Sequence, residues 1–227
     1  MMQNSLQSKN ILVTAGPTRE YLDPVRFLTN ESTGKMGYAI AEALQNLNAN
    51  VYLVSGPVSI QSNFPKEKII NVKTGKQMYH ACEQLFGTID IAIFCAAIAD
   101  YTPKVTCDCK IKKIDNEISM EFVKNVDIAF EFGKVKSKHQ KSIGFALETN
   151  NVLENAAAKL KKKHFDCIVA NSPNKNEGFG FDTNKIAIIK TDLSVTEFPL
   201  KSKQDVAKDI VNTIIDMYNP VAATVNG

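Results

Sequence analysis

Apolar positions along the chain follow two alternating rhythms. At 11–14, 51–54, 69–72, 89–94, 142–146, 167–170 and 185–189 short runs of aliphatic, largely β-branched residues are apolar on successive positions. Strands covered on both faces read this way. Between them, segments 34–47, 74–86, 126–132, 152–163 and 204–218 repeat their apolar residues every three or four positions, as a helix with one buried face does. Strands alternating with helices imply βαβ crossovers, hence an α/β fold with a doubly wound, mainly parallel sheet and helices on both faces. Segment 101–123 breaks the rhythm with a lysine-rich loop and a lone alternating run at 118–122. It is expected to be a strand outside the main order, or an excursion over the site or onto a partner. No internal repeat or boundary is visible, so residues 1–227 are expected to form one domain, with 1–9 as a flexible N-terminus.

In a doubly wound sheet, ligands sit beyond the carboxyl ends of the strands. That selects the segments 16–33, 55–65, 96–113, 147–151 and 171–183, where polar residues and glycines gather. The first of these runs into Asn30-Glu31-Ser32-Thr33-Gly34-Lys35-Met36-Gly37, which places hydroxyls, glycines and a lysine at a helix start. Free backbone N–H groups and the positive end of the helix dipole make such a place an anion site. Two familiar phosphate loops are excluded by spacing. A Walker loop would need glycine at Thr29 and a hydroxyl at Met36. A dinucleotide fingerprint would follow the first strand directly, and here the loop 16–33 intervenes. The simpler reading is a helix capped by Ser32 or Thr33, with glycines serving turns.

Composition narrows the field. An apolar fraction of 44% is ordinary for a globular protein, and a net charge of +3 is too small to argue for nucleic acid or a membrane surface. The local clusters at 110–113 and 159–163 carry more meaning than the sum. Cys82, Cys95, Cys107, Cys109 and Cys167 are scattered and odd in number, and Cys107-Asp108-Cys109 lacks a second pair or a nearby histidine. Reduced thiols of a cytoplasmic protein, without zinc, are expected. His80, His139 and His164 form no pairing motif and read as structural or surface residues. No apolar run approaches the ~20 residues of a membrane span.

Beyond the strand at 89–94 lies Cys95-Ala96-Ala97-Ile98-Ala99-Asp100-Tyr101. Small residues there let a flat group approach the backbone, and Asp100 can accept hydrogen bonds from ribose hydroxyls. Taken alone, it reads better as a small-residue strand exit whose Asp caps a helix or makes a turn. Lys110, Lys112 and Lys113 follow in a loop where ammonium groups could neutralise a triphosphate during transfer. Next come a capped helix start, Lys124-Asn125-Val126-Asp127-Ile128, and then the run Gly144-Phe145-Ala146-Leu147-Glu148-Thr149-Asn150. Lys159 and Lys163, four apart, share one helix face.

In this order, VTAGPTRE-x-LDPVR, TNESTGKMG, AAIADY, KIKK, VKNVDI, GFALETNN and IVANS…GFGFDTN resemble the phosphopantothenoylcysteine synthetases of coenzyme A formation, over nearly the whole chain. The resemblance implies a Rossmann-like fold and a ligase. In the bacterial type, CTP activates the 4′-phosphopantothenate carboxylate as an acyl cytidylate with loss of pyrophosphate. L-Cysteine then attacks through its amine and expels CMP. Carried onto this chain, nucleotide contacts fall on Phe94, Cys95, Ala96, Asp100, Lys110, Asn125, Val126, Asp127, Ile128, Phe145, Lys159 and Lys163. Asn30 would hold the acyl intermediate, with Lys110 as its catalytic companion. Arg26, Asn30, Ser32, Thr33, Gly34, Lys35 and Gly37 are expected to position substrate phosphate. Mg2+ is expected on the triphosphate, its protein ligands unspecified; no flavin is expected in this chain. A homodimer is also implied.

Val126 stands where many relatives carry proline, which is favourable but dispensable at a helix start. The usual bacterial form carries a flavin-dependent decarboxylase ahead of this domain. Since the first strand follows Met1 closely, a free-standing synthetase, or that half of a longer protein, is expected, with a separate decarboxylase as a possible partner. Two other readings compete. A short-chain NAD(P) reductase would use Thr33-Gly34-x-x-Gly37 as its cofactor loop. However, the strand at 51–54 ends in Ser55-Gly56 rather than an acidic ribose ligand, and Tyr101 and Lys104 are three apart instead of four. A non-catalytic nucleotide-binding module would not need Asn30 and Lys110 for chemistry.

Overall fold

The computed structural model describes residues 6–113, 117–172 and 181–218. Among them the chain runs β1 (Asn10–Ala15), β2 (Arg19–Tyr21), β3 (Phe27–Thr29), α1 (Lys35–Gln45), β4 (Asn50–Ser55), β5 (Ile69–Asn71), α2 (Gly75–Phe86) and β6 (Ile91–Phe94). It continues as β7 (Tyr101–Pro103), β8 (Phe122–Lys124), α3 (Ile128–Val135), β9 (Lys141–Leu147), α4 (Val152–Lys162), β10 (Cys167–Asn171), β11 (Thr183–Lys190), β12 (Val195–Ser202) and α5 (Lys203–Tyr218).

The main sheet has the order β12-β11-β10-β9-β6-β1-β4-β5. Its six strands from β10 to β5 are parallel, while β11 and β12 run antiparallel at one flank. The expected mainly parallel α/β sheet is therefore present, with an antiparallel margin at the strand expected for 185–189. Alternate residues of β1 feed opposite cores. Ile11, Val13 and Ala15 pack with α1 and α5, whereas Leu12 packs with α2, α3 and α4. Each face buries an apolar layer, which is what holds the three layers together.

Leu6 is fully buried in the first core, so the chain joins the fold inside the stretch expected to be a loose N-terminus; residues 1–5 lie outside the described residues. The run at 118–122 is not a strand. Ile118 is exposed and meets no sheet face; only Phe122, at its end, enters β8, which pairs with β7 in a two-stranded ribbon beside the main sheet. A second ribbon joins β2 to β3. Helix α3 starts two residues later than expected, because Asp127 is its cap and accepts from the Phe130 N–H at 3.2 Å.

Candidate active site

From β1 the chain winds through α1 to β4 and β5 on one side. It then returns through α2, on the other face, to β6 on β1's opposite edge. The crevice between the exits of β1 and β6 is thus a topological switch point, where open α/β sheets bind ligands. Two chambers open there. The first has a volume of about 320 Å³ and is lined by Asn30, Ser32, Thr33, Gly34, Lys35, Met36, Gly37, Cys95, Ala96, Ala97, Ile98, Phe145, Leu147, Lys159, Asn171, Asn184 and Lys203. The second, about 390 Å³, is lined by Thr14, Phe94, Ala96, Ile98, Ala99, Asp100, Tyr101, Lys124, Asn125, Val126, Asp127, Ile128, Ala129, Phe145, Lys163 and Phe165. Ala96, Ile98 and Phe145 belong to both, so they form the wall across which two ligands would meet.

That wall is fixed mainly by backbone. Ala96 N–H donates to Thr14 Oγ1 (3.2 Å), Ala97 N–H to the Gly16 carbonyl (2.9 Å) and Ala99 N–H to Thr18 Oγ1 (3.2 Å). Asn30 Nδ2 donates to the carbonyls of Ala97 (3.3 Å) and Ile98 (3.2 Å), which moors the loop after β3 to the same wall. On the far side Asn125 Nδ2 donates to the Ala99 carbonyl at 3.0 Å. Side chains of the AAIA segment are small enough to leave main chain, rather than bulk, facing a ligand.

At the start of α1 the cap differs from expectation. Gly34, not Ser32 or Thr33, is the N-cap; it has φ 79° and no side chain bonds the helix N–H groups. Ser32 Oγ instead accepts from the Gly34 N–H at 3.3 Å. A left-handed cap of this kind suits glycine, and it leaves the first-turn N–H groups without a side-chain cap beside the chamber. Gly37 allows close approach: a Cβ there would stand 2.6 Å from Ala15 Cβ. The absent side chain is what seats α1 against β1.

Most expected site residues converge. Asn30, Ser32, Thr33, Gly34, Lys35, Gly37 and Cys95 line the first chamber; Phe94, Asp100, Asn125, Val126, Asp127, Ile128 and Lys163 line the second. Lys159, expected with the nucleotide, lines the first chamber and pairs with Glu148 at 2.6 Å. Lys163 Nζ bonds Asp127 at 2.9 Å. Burial pushes the Cys95 thiol up to about 12, with Lys203 opposing, so Cys95 is a neutral lining group at physiological pH rather than a nucleophile.

Two expected residues lie outside both chambers. Arg26 Nη1 donates to Asp23 Oδ2 (2.9 Å) and to the Ile111 carbonyl (3.1 Å). Asp23 also accepts from the backbone N–H groups of Val25, Arg26 and Ile111. Burial alone would raise the Asp23 pKa, but the N–H donors and the Arg26 charge outweigh it and hold the carboxyl below its ordinary 3.8. This clasp fastens the Lys110 loop to the β2–β3 ribbon. Lys110 itself is exposed and lines neither chamber.

Asn171, Asn184 and Lys203 were not expected in the site. One signal was present: a lysine opening a helix sits against the helix dipole, which favours acids there. The expected GFGFDTN segment is described only from Phe181 onwards. The short-chain reductase reading fares poorly at β4, where the ribose-binding acid would stand. Ser55 is buried, accepts from Tyr38 Oη at 3.0 Å and donates to the Gly56 carbonyl.

The parallel sheet and its paired chambers at the switch point define a Rossmann-like α/β protein with room for two ligands side by side. The chain belongs to the DNA/pantothenate metabolism flavoprotein C-terminal domain family, whose model matches residues 6–218. It is 45% identical over 210 residues to the coenzyme A biosynthesis bifunctional protein CoaBC of Bacillus subtilis, covering 92% of this chain and 52% of that one. It is also 42% identical over 218 residues to a cysteine/cysteine sulfinic acid decarboxylase from an unknown prokaryotic organism, covering 96% and 61% of the two chains. The chain spans about half the length of the curated relatives it matches. The crystal structure of the C-terminal domain of a CoaBC protein superposes with a TM-score of 0.80 at 40% identity, covering 96% of this chain and all of that one. A Cab2 mutant in complex with phosphopantothenate-cysteine shares the fold, with a TM-score of 0.74 at 14% identity over 93% of this chain and 88% of that one.

Proposed function

We propose that this chain is a phosphopantothenate–cysteine ligase. The observation that carries the reading is the pair of chambers meeting at Ala96, Ile98 and Phe145, with Asn30 hydrogen-bonded to that wall. CTP occupies the second chamber and 4′-phosphopantothenate the first, so that the acid's carboxylate meets the α-phosphorus at the wall. A carboxylate oxygen attacks that phosphorus, the bond to the β-phosphate oxygen breaks, and pyrophosphate leaves. The cysteine amine then attacks the activated carbonyl; CMP departs with the C–O bonding pair and the amine loses a proton, giving 4′-phosphopantothenoylcysteine.

Small residues in the wall and main-chain groups near Phe145 favour the compact cytosine over adenine, because polar groups built for one base edge are left unpaired by another. Asp100 and Asp127 are hard oxygen donors of the kind Mg2+ takes, and when bound the ion would neutralise triphosphate charge. We assign Asn30, beside the wall of small residues, to holding the acyl cytidylate.

Lys110 lines neither of its own chambers, and the Asp23 clasp ties the next residue, Ile111, to the β2–β3 ribbon. Val25, Leu28, Tyr101, Val105, Ile118, Phe122 and Val123 are exposed apolar residues on the two ribbons and this loop. We therefore infer a homodimer in which residues 101–124 present Lys110 to the partner's nucleotide chamber. Wherever a separate decarboxylase exists, its substrate is this ligase's product. Pyrophosphate release with CTP and 4′-phosphopantothenate, measured with and without cysteine, tests the reading. Release dependent on the acid supports the ligase; release with CTP alone, or none, refutes it.

A further inference from the structure

Glu20, the central residue of β2, is only 3% exposed, and no cation pairs with it among the described residues. Carboxylates are rarely buried so deeply without a partner that offsets the loss of water. Here the partner is a main-chain donor 55 residues away: the N–H of Gly75, first residue of α2, donates to Glu20 Oε1 at 2.9 Å. The neighbouring Arg19 N–H donates to the Lys73 carbonyl at 2.8 Å, so β2 also holds this junction by its main chain.

Helix α2 does not need Glu20 in order to begin. Thr74 Oγ1 accepts from the Gln77 N–H at 3.2 Å, and Gln77 Oε1 accepts from the Thr74 N–H at 3.3 Å, a reciprocal local cap. What that cap cannot set is where the helix start stands relative to β2. The position matters because of what lies on the other side of Gly75. A Cβ there would stand 2.7 Å from Asn125 Nδ2 and 3.2 Å from its Cγ. The same Nδ2 donates to the Ala99 carbonyl, and the Asn125 N–H donates to the Asp100 carbonyl at 2.8 Å. Glu20, Gly75 and Asn125 thus form a stack ending on Ala99 and Asp100, which line the second chamber together with Asn125.

We propose that Glu20 is a positioning residue for the second chamber: it pins the start of α2 against Asn125 and so fixes the Ala99–Asp100 main chain that faces the nucleotide. Glu20 itself lines neither chamber. The inference rests on the ligase reading for the identity of the nucleotide, and it makes nucleotide affinity depend on how the β2–β3 ribbon is seated.

Calorimetric titration with CTP, and separately with 4′-phosphopantothenate, tests it on wild type, Glu20→Ala, Glu20→Gln, Gly75→Ala and Thr74→Ala, with a thermal melt of each. Glu20→Ala should weaken CTP roughly 2- to 30-fold, the range for residues that act on a ligand through others, and change affinity for the acid by less than about twofold. Glu20→Gln keeps the length and an acceptor oxygen, so it should recover most of the loss. Gly75→Ala retains Glu20 but drives a methyl into the Asn125 amide, so it should weaken CTP alone even if Glu20→Ala fails to fold. Thr74→Ala removes only the local cap; it should lower Tm and leave CTP affinity unchanged. Equal loss of both ligands, or no loss of CTP, in the folded Glu20 and Gly75 variants overturns the inference. So does a Thr74→Ala protein that loses CTP as Glu20→Ala does, or a wild type that binds no CTP. Pyrophosphate release in the same samples keeps the two readings apart. Selective loss of CTP in the variants, with no pyrophosphate released by wild type from CTP and the acid, sinks the ligase and leaves the positioning role standing.

Discussion

Replacing Gly37 by alanine should disable the first chamber while leaving most of the fold intact. A Cβ at this position would stand 2.6 Å from Ala15 Cβ, 3.1 Å from Ala15 Cα and 3.3 Å from the Thr14 carbonyl oxygen. Carbon atoms pack at about 3.5–4.0 Å, so roughly 1 Å must be found by moving α1 away from β1. Overpacking of this kind costs about 1–3 kcal/mol, and the better helix propensity of alanine returns up to about 1 kcal/mol. The remainder, on the order of 1 kcal/mol, lowers Tm by only a few degrees for a domain of this size. Function should suffer far more. The first turn of α1 carries the N–H groups at the chamber, and a displacement near 1 Å at a positioning element costs about a hundredfold in rate. Steady-state kinetics with each substrate varied in turn should show the loss in kcat/KM for 4′-phosphopantothenate, with the KM for CTP nearly unchanged. A variant with wild-type kcat/KM and unchanged Tm would refute the reasoning, because either the contact relaxes freely or α1 does not position the acid.

Asn30→Asp places a negative charge beside an anionic intermediate, and Lys110→Gln removes a compensating one. Each is expected to cut turnover by on the order of a hundredfold, the scale for one lost transition-state contact. Rapid-quench mass spectrometry should show little acyl cytidylate in the first case. Co-expressing the two variants discriminates the geometry: if Lys110 acts on the partner's site, a random mixture regains roughly a quarter of wild-type activity, and if it acts within its own chain it regains none. CTP is expected to outperform ATP at matched concentration, and excess chelator to stop turnover; equal activity with ATP, or turnover undiminished by the chelator, contradicts those assignments. The Asp23 clasp predicts a pH signature. Because the folded carboxyl titrates below 3.8, its stabilising contribution is complete above that ordinary value and disappears as pH falls through the lower one. The stability gap between wild type and Asp23→Asn should therefore be open at neutral pH and close in acid. A gap independent of pH, read from thermal melts, would show that the charge is not what holds the loop.

The central strands were legible because parallel strands covered on both faces need no polar alternation, and β1, β4, β6 and β10 are such runs. The rule that ligands lie at strand ends then found both chambers. What escaped has physical reasons. Strands β2, β3, β7 and β8 are three residues each, too short to carry a period, and exist only by pairing with one another, β2 with β3 and β7 with β8. Strand β12 contains Pro199, with Thr196 and Glu197 adjacent at its exposed positions, a pattern that argues against a strand. It is tolerated because β12 is the sheet edge and the ladder shifts register near the proline, between the pairs Asn184–Lys201 and Ile186–Phe198. Lys110 illustrates the converse. Its motif was visible, but nothing local reveals that the loop is fastened to Asp23, 88 residues before Ile111.

The two chambers also differ in when the growing polypeptide can complete them. Every described residue lining the second lies at or before Phe165, whereas the first needs Asn171, Asn184 and Lys203. The apolar face of α1, with Ile40 and Leu44, shares its core with Val206, Ile210 and Ile214 of α5. During synthesis the second chamber can therefore assemble while the first is still missing its wall and α1 its cover. Emergence of α5 from the ribosome closes that wall and buries α1 in the same event, so one helix completes both the first chamber and the core beneath it.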